Sequence, residues 1–158
     1  MLAKKRLQQG VTLVESMIAL LVISIGLLGI ASLQITAMSQ NASSLNHSQA
    51  VWYAYNMSDR IRANLDQFAN YNGIDTSGSY SQDCLGSACS NAQMLQADAA
   101  DWATMVANLP GGRGIINNNA DGLVVTVMWD DEGTGASGTG CDPTNSNDLT
   151  CYTVLLVQ

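Results

Sequence analysis

The hydrophobic positions of this chain follow two different patterns. From Ser16 to Leu33 no residue is charged, and apolar residues occupy every face that a helix would present. A run of this length is enough to cross the hydrocarbon core of a bilayer as a helix. Beyond Gln34 the apolar residues become periodic, three, four and seven apart, with Ser, Asn and Gln between them. We therefore predict one continuous helix over about 12–65, apolar all round at first and amphipathic later.

The rest of the chain is predicted to form a small α+β domain. The amphipathic part of the long helix offers this domain two apolar sets: Leu45, Trp52 and Tyr55, and Ala54, Met57, Ile61, Leu65 and Phe68. The predicted order after it is a loop over 67–91, a second helix over 92–109, strands over 114–116, 123–129 and 150–157, a turn at 117–119 and a long polar loop over 130–148. The three strands are expected to form an antiparallel sheet with one polar, open face. Asp98 falls on the apolar side of the second helix and does not fit its pattern.

Charged residues flank the first apolar run in an unusual way. Lys4, Lys5 and Arg6 precede it, which favours a cytoplasmic N-terminus with the rest of the chain outside. Glu15 stands at the start of the run, where an ionisable group costs up to roughly 2–3 kcal/mol and calls for a specific partner. An ordinary signal anchor would gain nothing from Glu15. A removable secretory peptide has a shorter apolar core, of about 7–15 residues, and would also avoid the acid.

The residues Gly10-Val11-Thr12-Leu13-Val14-Glu15, after a short basic leader, resemble the class III signal of type IV pilins and pseudopilins. The resemblance implies that a prepilin peptidase cuts after Gly10 and methylates the new N-terminus at Val11. Val11 departs from the Phe that the family usually has there, which affects methylation more than cleavage. The resemblance also implies that Glu15 meets the terminal amine of a neighbouring subunit. A buried carboxylate is tolerable when such a cation joins it.

The resemblance extends to PilV-type minor pilins, the type IV pilus modification proteins. It is carried by the run over 25–34, by Leu109-Pro110-Gly111-Gly112, by Val127-Met128-Trp129-Asp130-Asp131 and by Cys151-Tyr152. It implies the type IV pilin fold, in which a long N-terminal helix packs on a small antiparallel sheet with a second helix. It also implies a low-abundance subunit that helps to prime pilus assembly at or near the tip. The partners expected are other minor and major pilins, the prepilin peptidase, the inner membrane before assembly, and a tip adhesin.

This resemblance divides the chain into a cleaved leader over 1–10, a transmembrane or filament-core half-helix over 11–38 and a periplasmic domain over 39–158. The expected location is the inner membrane first and the surface pilus afterwards, in support of adhesion, twitching motility or DNA uptake. Two alternatives remain open at this point: a type II secretion pseudopilin, which shares the signal, and a membrane-tethered periplasmic binding module. Cleavage after Gly10 would argue against the binding module.

The charge of the chain disfavours one class of partner. The whole chain carries −7, and loss of the three leader cations leaves −10. Only Arg60, Arg62 and Arg113 are basic after the leader. So acidic a protein repels nucleic acid at long range, and no direct nucleic-acid partner is expected.

The four cysteines all follow the apolar run: Cys84, Cys89, Cys141 and Cys151. Outside the cytoplasm, an even number of cysteines is typical of disulfides. Three pairings are possible, and the local one, Cys84–Cys89 with Cys141–Cys151, closes the shortest loops. Each such loop would contribute about 2–3 kcal/mol to stability. A zinc site is the rival, but neither spacing is CxxC and no His is near.

Catalytic chemistry finds no support in the sequence. His47 is the only histidine and has no obvious nucleophile, and the serines lack any G-x-S-x-G. Gly111-Gly112-Arg113-Gly114 follows a helix instead of a strand, so it is predicted as a turn and not as a phosphate site. The loop carboxylates at Asp130-Asp131-Glu132, Asp142 and Asp148 are of the type that binds calcium, but their spacing is not that of an EF-hand. We predict no enzyme, no cofactor and no metal.

Overall fold

The computed structural model describes residues 12–86 and 88–157. It has the α+β fold that the sequence predicts. Its elements in chain order are helix α1 (Leu13–Ala63), a 3₁₀ helix (Leu65–Tyr71), helix α2 (Asn91–Val106) and strands β1 (Arg113–Asn119), β2 (Gly122–Trp129) and β3 (Thr150–Leu156).

The chain divides into two compact units between Asn41 and Ala42. We call residues 12–41 the apolar segment and residues 42–157 the domain. In the apolar segment every side chain is exposed. By length and composition alone, α1 can cross a membrane near the N-terminus.

The domain is built around an antiparallel sheet in the order β1-β2-β3. β2 is central and alternates in burial, so that its buried face is made of Leu123, Val125, Val127 and Trp129. Residues of α1 and α2 complete the same core: Ala50, Ala54, Met57, Ile61, Leu95, Trp102 and Val106. The outer face of the sheet is less polar than predicted, because Met128 is buried there as well.

Trp102 fixes the position of α2 on the sheet. Its indole N–H donates to the carbonyl oxygen of Tyr53 on α1 at 3.1 Å, which satisfies the one polar atom of a fully buried ring. On the other side of the ring, a Cβ placed on Gly114 would lie 2.5 Å from it. Glycine at the start of β1 therefore allows the ring and the strand to approach closely.

The predicted contact face of α1 is partly wrong. Leu45, Trp52 and Tyr55 are 58%, 59% and 47% exposed, so this set does not pack in the core. Of the other set, Ala54, Met57, Ile61 and Phe68 are buried, but Leu65 is 54% exposed. Trp52 lies about 160° around the helix from Ala54, because each residue advances about 100°. One face of α1 is covered, and the aromatic residues of the other set remain at the surface.

Three predicted boundaries also change. The segment after α1 was predicted as a loop, but its start forms the 3₁₀ helix because Phe68 and Tyr71 turn into the core. The predicted turn at 117–119 belongs to β1, since its backbone pairs with β2 up to Asn119. Helix α2 spans Asn91–Val106 instead of 92–109, with Ser90 and Gln93 forming a reciprocal capping box at its start.

Candidate assembly sites

The predicted cleavage site lies outside the described residues. Gly10 and Val11, together with the leader over 1–10, fall before Thr12, where the description begins. Glu15 lies in the first turn of α1, and its backbone N–H donates to the Oγ1 of Thr12 at 3.3 Å. A carboxylate in a first helical turn is favoured by the helix dipole. Among the described ion pairs none includes Glu15, so its side chain is accessible to a cation from another chain.

The surface of the apolar segment is continuous and apolar. Its large hydrophobic side chains are 55–79% exposed: Leu13, Val14, Met17, Ile18, Leu20, Leu21, Val22, Ile23, Ile25, Leu27, Leu28, Ile30, Leu33, Ile35 and Met38. The hydroxyls of Ser24 and Thr36 donate to the carbonyl oxygens of Leu20 and Ser32, at 2.7 and 3.1 Å. Because these polar groups are satisfied within the helix, the segment suits lipid or the side of another helix.

A buried polar cluster joins three elements of the domain. Asp98 on α2 is 5% exposed, and it accepts a hydrogen bond from the hydroxyl of Tyr71 at 2.6 Å and one from Arg60 at 2.9 Å. Asn64 donates to the Tyr71 oxygen at 3.2 Å. Burial, and then the neighbouring Asp98, raise the pKa of Tyr71 far above its usual range, so the phenol keeps its proton. The residue that broke the pattern of α2 is thus the anchor between α1, the 3₁₀ helix and α2.

A second ion pair lies beside β1. Arg113 donates to Asp75 through two nitrogens, at 2.6 and 3.2 Å. The hydrogen bonds from Arg113 lower the pKa of Asp75 to about 2, and bonds from Ser77 act in the same direction. The pair fastens the chain after the 3₁₀ helix to the first strand.

The loop over 130–148, which we call the acidic loop, has near its start a carboxylate held from two sides. Asp131 accepts from the hydroxyl of Ser43 on α1 at 2.6 Å and from the indole N–H of Trp129 at 2.9 Å. The neighbouring Asp130 accepts from the backbone of Gly135 and Thr134, and these bonds lower the pKa of Asp130. The root of the loop is therefore fixed to α1 and to β2.

The remaining carboxylates of this loop line a cleft of about 250 Å³. Asp142 accepts from both the hydroxyl and the backbone N–H of Thr144, with the hydroxyl first in lowering the pKa of Asp142. Asp148 accepts from the backbone N–H of Asp142 at 3.2 Å. In the described ranges, no group of three His, Cys, Asp or Glu side chains is placed to hold a metal ion. These carboxylates act as acceptors for the turns of their own loop.

Both disulfides of the structure are local. Cys84 is bonded to Cys89 in the loop before α2, and Cys141 is bonded to Cys151. The second bond ties the acidic loop to the start of β3. Cα–Cα distances of 5.6 Å in both pairs are ordinary for disulfides.

His47 lies on the exposed part of α1 and contacts two aromatic rings. Its ring meets Trp129 and Tyr152 edge-on, with centroids 5.9 and 5.8 Å away. Tyr55 lies on the other side of Tyr152, at 6.4 Å. The surroundings of His47 are those of a packing residue between α1 and β3.

Sequence reasoning missed the links made by Ser43, Tyr71 and Asp131. Only Asp98 gave a signal, because a charged residue in an apolar stripe requires a partner. Nothing in the sequence pointed to Tyr71 and Arg60 as its partners, since they lie 27 and 38 residues away.

Two family models match the chain. The prokaryotic N-terminal methylation motif matches residues 5–31. The model described as Tt1218-like, type IV pilin Tt1218, matches residues 32–100. The two matches are adjacent and together span 5–100. No curated protein and no solved structure matches the chain.

Proposed function

This chain belongs to the type IV pilin-like family, and from that premise we propose that it is a minor pilin which helps to prime assembly of the pilus. Pilins of this family are structural subunits, processed by a prepilin peptidase and assembled with other pilins. The proposal concerns what this subunit does within that scheme: it starts filaments and stays at or near their tip.

The apolar segment with its single carboxylate is the observation that supports assembly into a filament. Its exposed hydrophobic side chains have no partner within the described chain, so they require lipid or other helices around them. When the apolar segment moves from lipid into a bundle of subunit helices, it exchanges one apolar environment for another, so the change in free energy is small. Glu15 is the one charged side chain of the segment, and a terminal amine of a neighbouring subunit would neutralise it. This pairing would fix how far the two helices are shifted along each other.

The division of the chain follows from this role. We propose a leader over 1–10 that is cut between Gly10 and Val11, with methylation of Val11. Residues 11–38 would then cross the inner membrane and later enter the filament core. Residues 39–158 would lie in the periplasm before assembly and on the surface pilus afterwards. Disulfides at Cys84–Cys89 and Cys141–Cys151 are consistent with that compartment.

The minor role is supported by the sequence resemblance to PilV-type pilins over 25–34 and 127–131. In this role its partners are other minor pilins, the major pilin and a tip adhesin. Adhesion, twitching motility and DNA uptake all depend on pili, and any of them would fail indirectly if filaments did not start.

Deletion of the chain tests the priming role. Surface pili are expected to fall sharply while synthesis of the major pilin continues. Blocking retraction as well should restore part of the filaments, because slow initiation then has time to act. Normal pilus number, motility and DNA uptake in the deletion strain would contradict the proposal. A secretion defect with normal pili would identify a type II secretion pseudopilin instead.

Intact mass of the membrane-extracted protein tests the processing. The expected mass corresponds to a chain beginning at Val11 with one methyl group and two disulfides. Gly10→Leu is the matched variant, and it should keep the leader and stay out of pili. A full-length mass for the wild-type protein would favour a membrane-tethered binding module.

A further inference from the structure

The two edges of the sheet differ in how their backbone groups are used. The edge of β1 is covered by the chain that follows the 3₁₀ helix. Gly73 donates to the carbonyl oxygen of Ile116 at 2.8 Å, and Ile116 donates back to that of Ile74 at 2.9 Å. The outward N–H and C=O groups of Gly114 and Ile116 are therefore paired, and the Arg113–Asp75 ion pair holds the covering segment in place.

The same bonds show which groups of β3 point outward. In an antiparallel ladder, alternate residues bond to one neighbour and the residues between them to the other. Since Ile116 bonds away from β2, Ile115 bonds toward it, to its partner Thr126. On β2 the next residue, Val127, must then bond to β3, where its partner is Tyr152. Tyr152 thus bonds inward, and the residues on either side of it direct their backbone groups to the free edge.

These outward residues are Cys151, Thr153 and Leu155. Within the part of the chain that the structure describes, their N–H and C=O groups have no hydrogen-bond partner. The edge of β3 is a row of donors and acceptors spaced for another strand.

Proteins protect an edge strand with charges, proline, bulges or a covering loop. At the start of β3, Cys151 is bonded to Cys141 of the acidic loop, but beyond Cys151 the strand lacks these features. β3 has no charged residue and no proline, and its register with β2 is unbroken from Thr150 to Leu156. Apolar side chains project beside it, with Leu155 45% and Val157 70% exposed. An open edge of this composition is suited to strand addition and not to contact with water.

We propose that the open edge of β3 binds an extended segment of another pilin subunit, which adds to the sheet as a fourth strand. This inference rests on the function proposed above, because it needs the chain to be assembled with other subunits. Main-chain hydrogen bonds to Cys151, Thr153 and Leu155 provide the affinity, and alternate side chains provide the specificity.

The charge of the domain defines the segment that fits. After residue 41 there are twelve acidic and three basic side chains, and each of the three arginines is paired with an aspartate. Since β3 itself is uncharged but lies in this acidic domain, the fitting segment is uncharged along the strand and basic at its flanks. On its inner face it carries apolar residues, to cover the half-buried Tyr152 and Val154.

A second copy of this chain is a poor occupant. Two β3 edges pair antiparallel only about a two-fold axis, which makes a closed dimer instead of a growing filament. Such a dimer would also bring two strongly acidic domains together. The occupant is therefore a different pilin.

Amide hydrogen exchange on the full chain tests the added strand. In detergent, the amides of Thr153 and Leu155 should exchange rapidly, and in sheared pili they should exchange at least about tenfold more slowly. The amide of Ile116, already paired, is the internal reference and should be protected in both states. Equal exchange of the β3 amides in both states would overturn the inference. Absence of the chain from pili would instead overturn the proposed function.

A proline at position 153 tests the same edge in cells. Thr153→Pro removes one outward N–H and none of the bonds to β2, so an edge strand tolerates it. Incorporation into pili should fall about tenfold relative to Thr153→Ala, which keeps the backbone donor. A second pair of variants, Leu155→Lys and Leu155→Thr, tests the edge if the proline variant unfolds. The lysine variant should be incorporated into pili less than the threonine variant, because it places a charge beside the edge strand. Equal incorporation of the two variants in a pair whose members both fold would show that the edge of β3 is not used in assembly.

Photo-cross-linking identifies the occupant. A photoreactive benzoylphenylalanine in place of Leu155, in assembled pili, should join an extended segment of a different pilin. A cross-link to β3 of a second copy, or to a helix, would overturn the proposed partner.

Discussion

The apolar segment exposes every one of its side chains, whereas the domain buries two tryptophans, two tyrosines and even an aspartate. Both regions are rich in hydrophobic residues, although the apolar segment has one charged side chain and the domain has fifteen. The two regions differ in where their side chains find contacts. In the domain the contacts lie within the domain itself, and even Asp98 has the guanidinium of Arg60 and the phenol of Tyr71 as partners. The apolar segment supplies none for its large hydrophobic side chains, and its stability as a folded element depends on lipid or on other subunits. The comparison predicts that changes in the first region alter assembly, and that changes in the second alter folding.

The largest effect is expected from Glu15→Ala. Leaving a neighbour's buried terminal amine without its carboxylate costs about 3 kcal/mol or more, so incorporation into pili should fall at least tenfold. The amount of chain in sheared pili, relative to the membrane, measures this. Ser24→Ala is the matched control, since its hydroxyl bonds only to its own helix. Thermal unfolding of the domain should be the same in both variants, and unaltered incorporation would mean that the carboxylate has another purpose.

Asp98→Ala should give the largest loss of domain stability. It leaves Arg60 and the Tyr71 hydroxyl without their buried partner, which costs about 3 kcal/mol of unfolding free energy. Denaturant unfolding of the detergent-solubilised chain, followed by tryptophan fluorescence, measures it. Asp101→Ala removes the other partner of Arg60, which is 65% exposed, and should cost less than about 1 kcal/mol. Similar losses in the two variants would contradict a special role for the buried carboxylate.

The two disulfides should contribute unequally. Cys141 and Cys151 are ten residues apart, and Cys84 and Cys89 are five apart. Loop-closure entropy then gives about 3 kcal/mol for the first pair and about 2 kcal/mol for the second. Double Cys→Ser variants of each pair, compared by denaturant midpoint, measure the difference. The reverse order would mean that the loops are ordered by contacts other than their disulfides.

The smallest effect concerns acid stability. Arg113 lowers the pKa of Asp75 to about 2 from its ordinary 3.8. The ion pair therefore stabilises the domain fully above pH 4, and this contribution is lost as pH falls toward 2. Because the two side chains are 30% and 35% exposed, solvent screening reduces the contribution to about 1 kcal/mol. The difference in unfolding free energy between wild type and Asp75→Asn should shrink as pH falls from 4 to 2. A difference that stays constant down to pH 2 would contradict a stabilising role for the Arg113–Asp75 ion pair.

The sequence predicted the elements whose patterns were long and regular. The extent of α1 and the strands β2 and β3 agree closely with the structure. It was wrong about Trp52, because helical spacing alone does not tell which of two apolar stripes a domain covers. It was also wrong at Asn117, since strand pairing overrides the turn preference of asparagine.

The candidate sites were predicted unequally. The N-terminal site was fully specified by a contiguous motif, and cleavage at Gly10 remains a prediction. The hydrogen bonds that join elements of the domain could not be predicted from the sequence, because they connect residues that are distant along the chain. The free edge of β3 was invisible for a similar reason: it depends on which strand neighbours which, and on the segment that covers the opposite edge.

Asp131 has a mechanical consequence. Within the proposed pilus, a pull along α1 would reach the domain at residue 42. The Ser43–Asp131 hydrogen bond lies one residue further on, and Asp131, two residues after the end of the central strand, also accepts from the indole N–H of Trp129. Such a pull would therefore act on the end of β2 as well as on α1. We expect the helix and the central strand to move together under such a load, because Asp131 links them close to the point where the pull enters the domain.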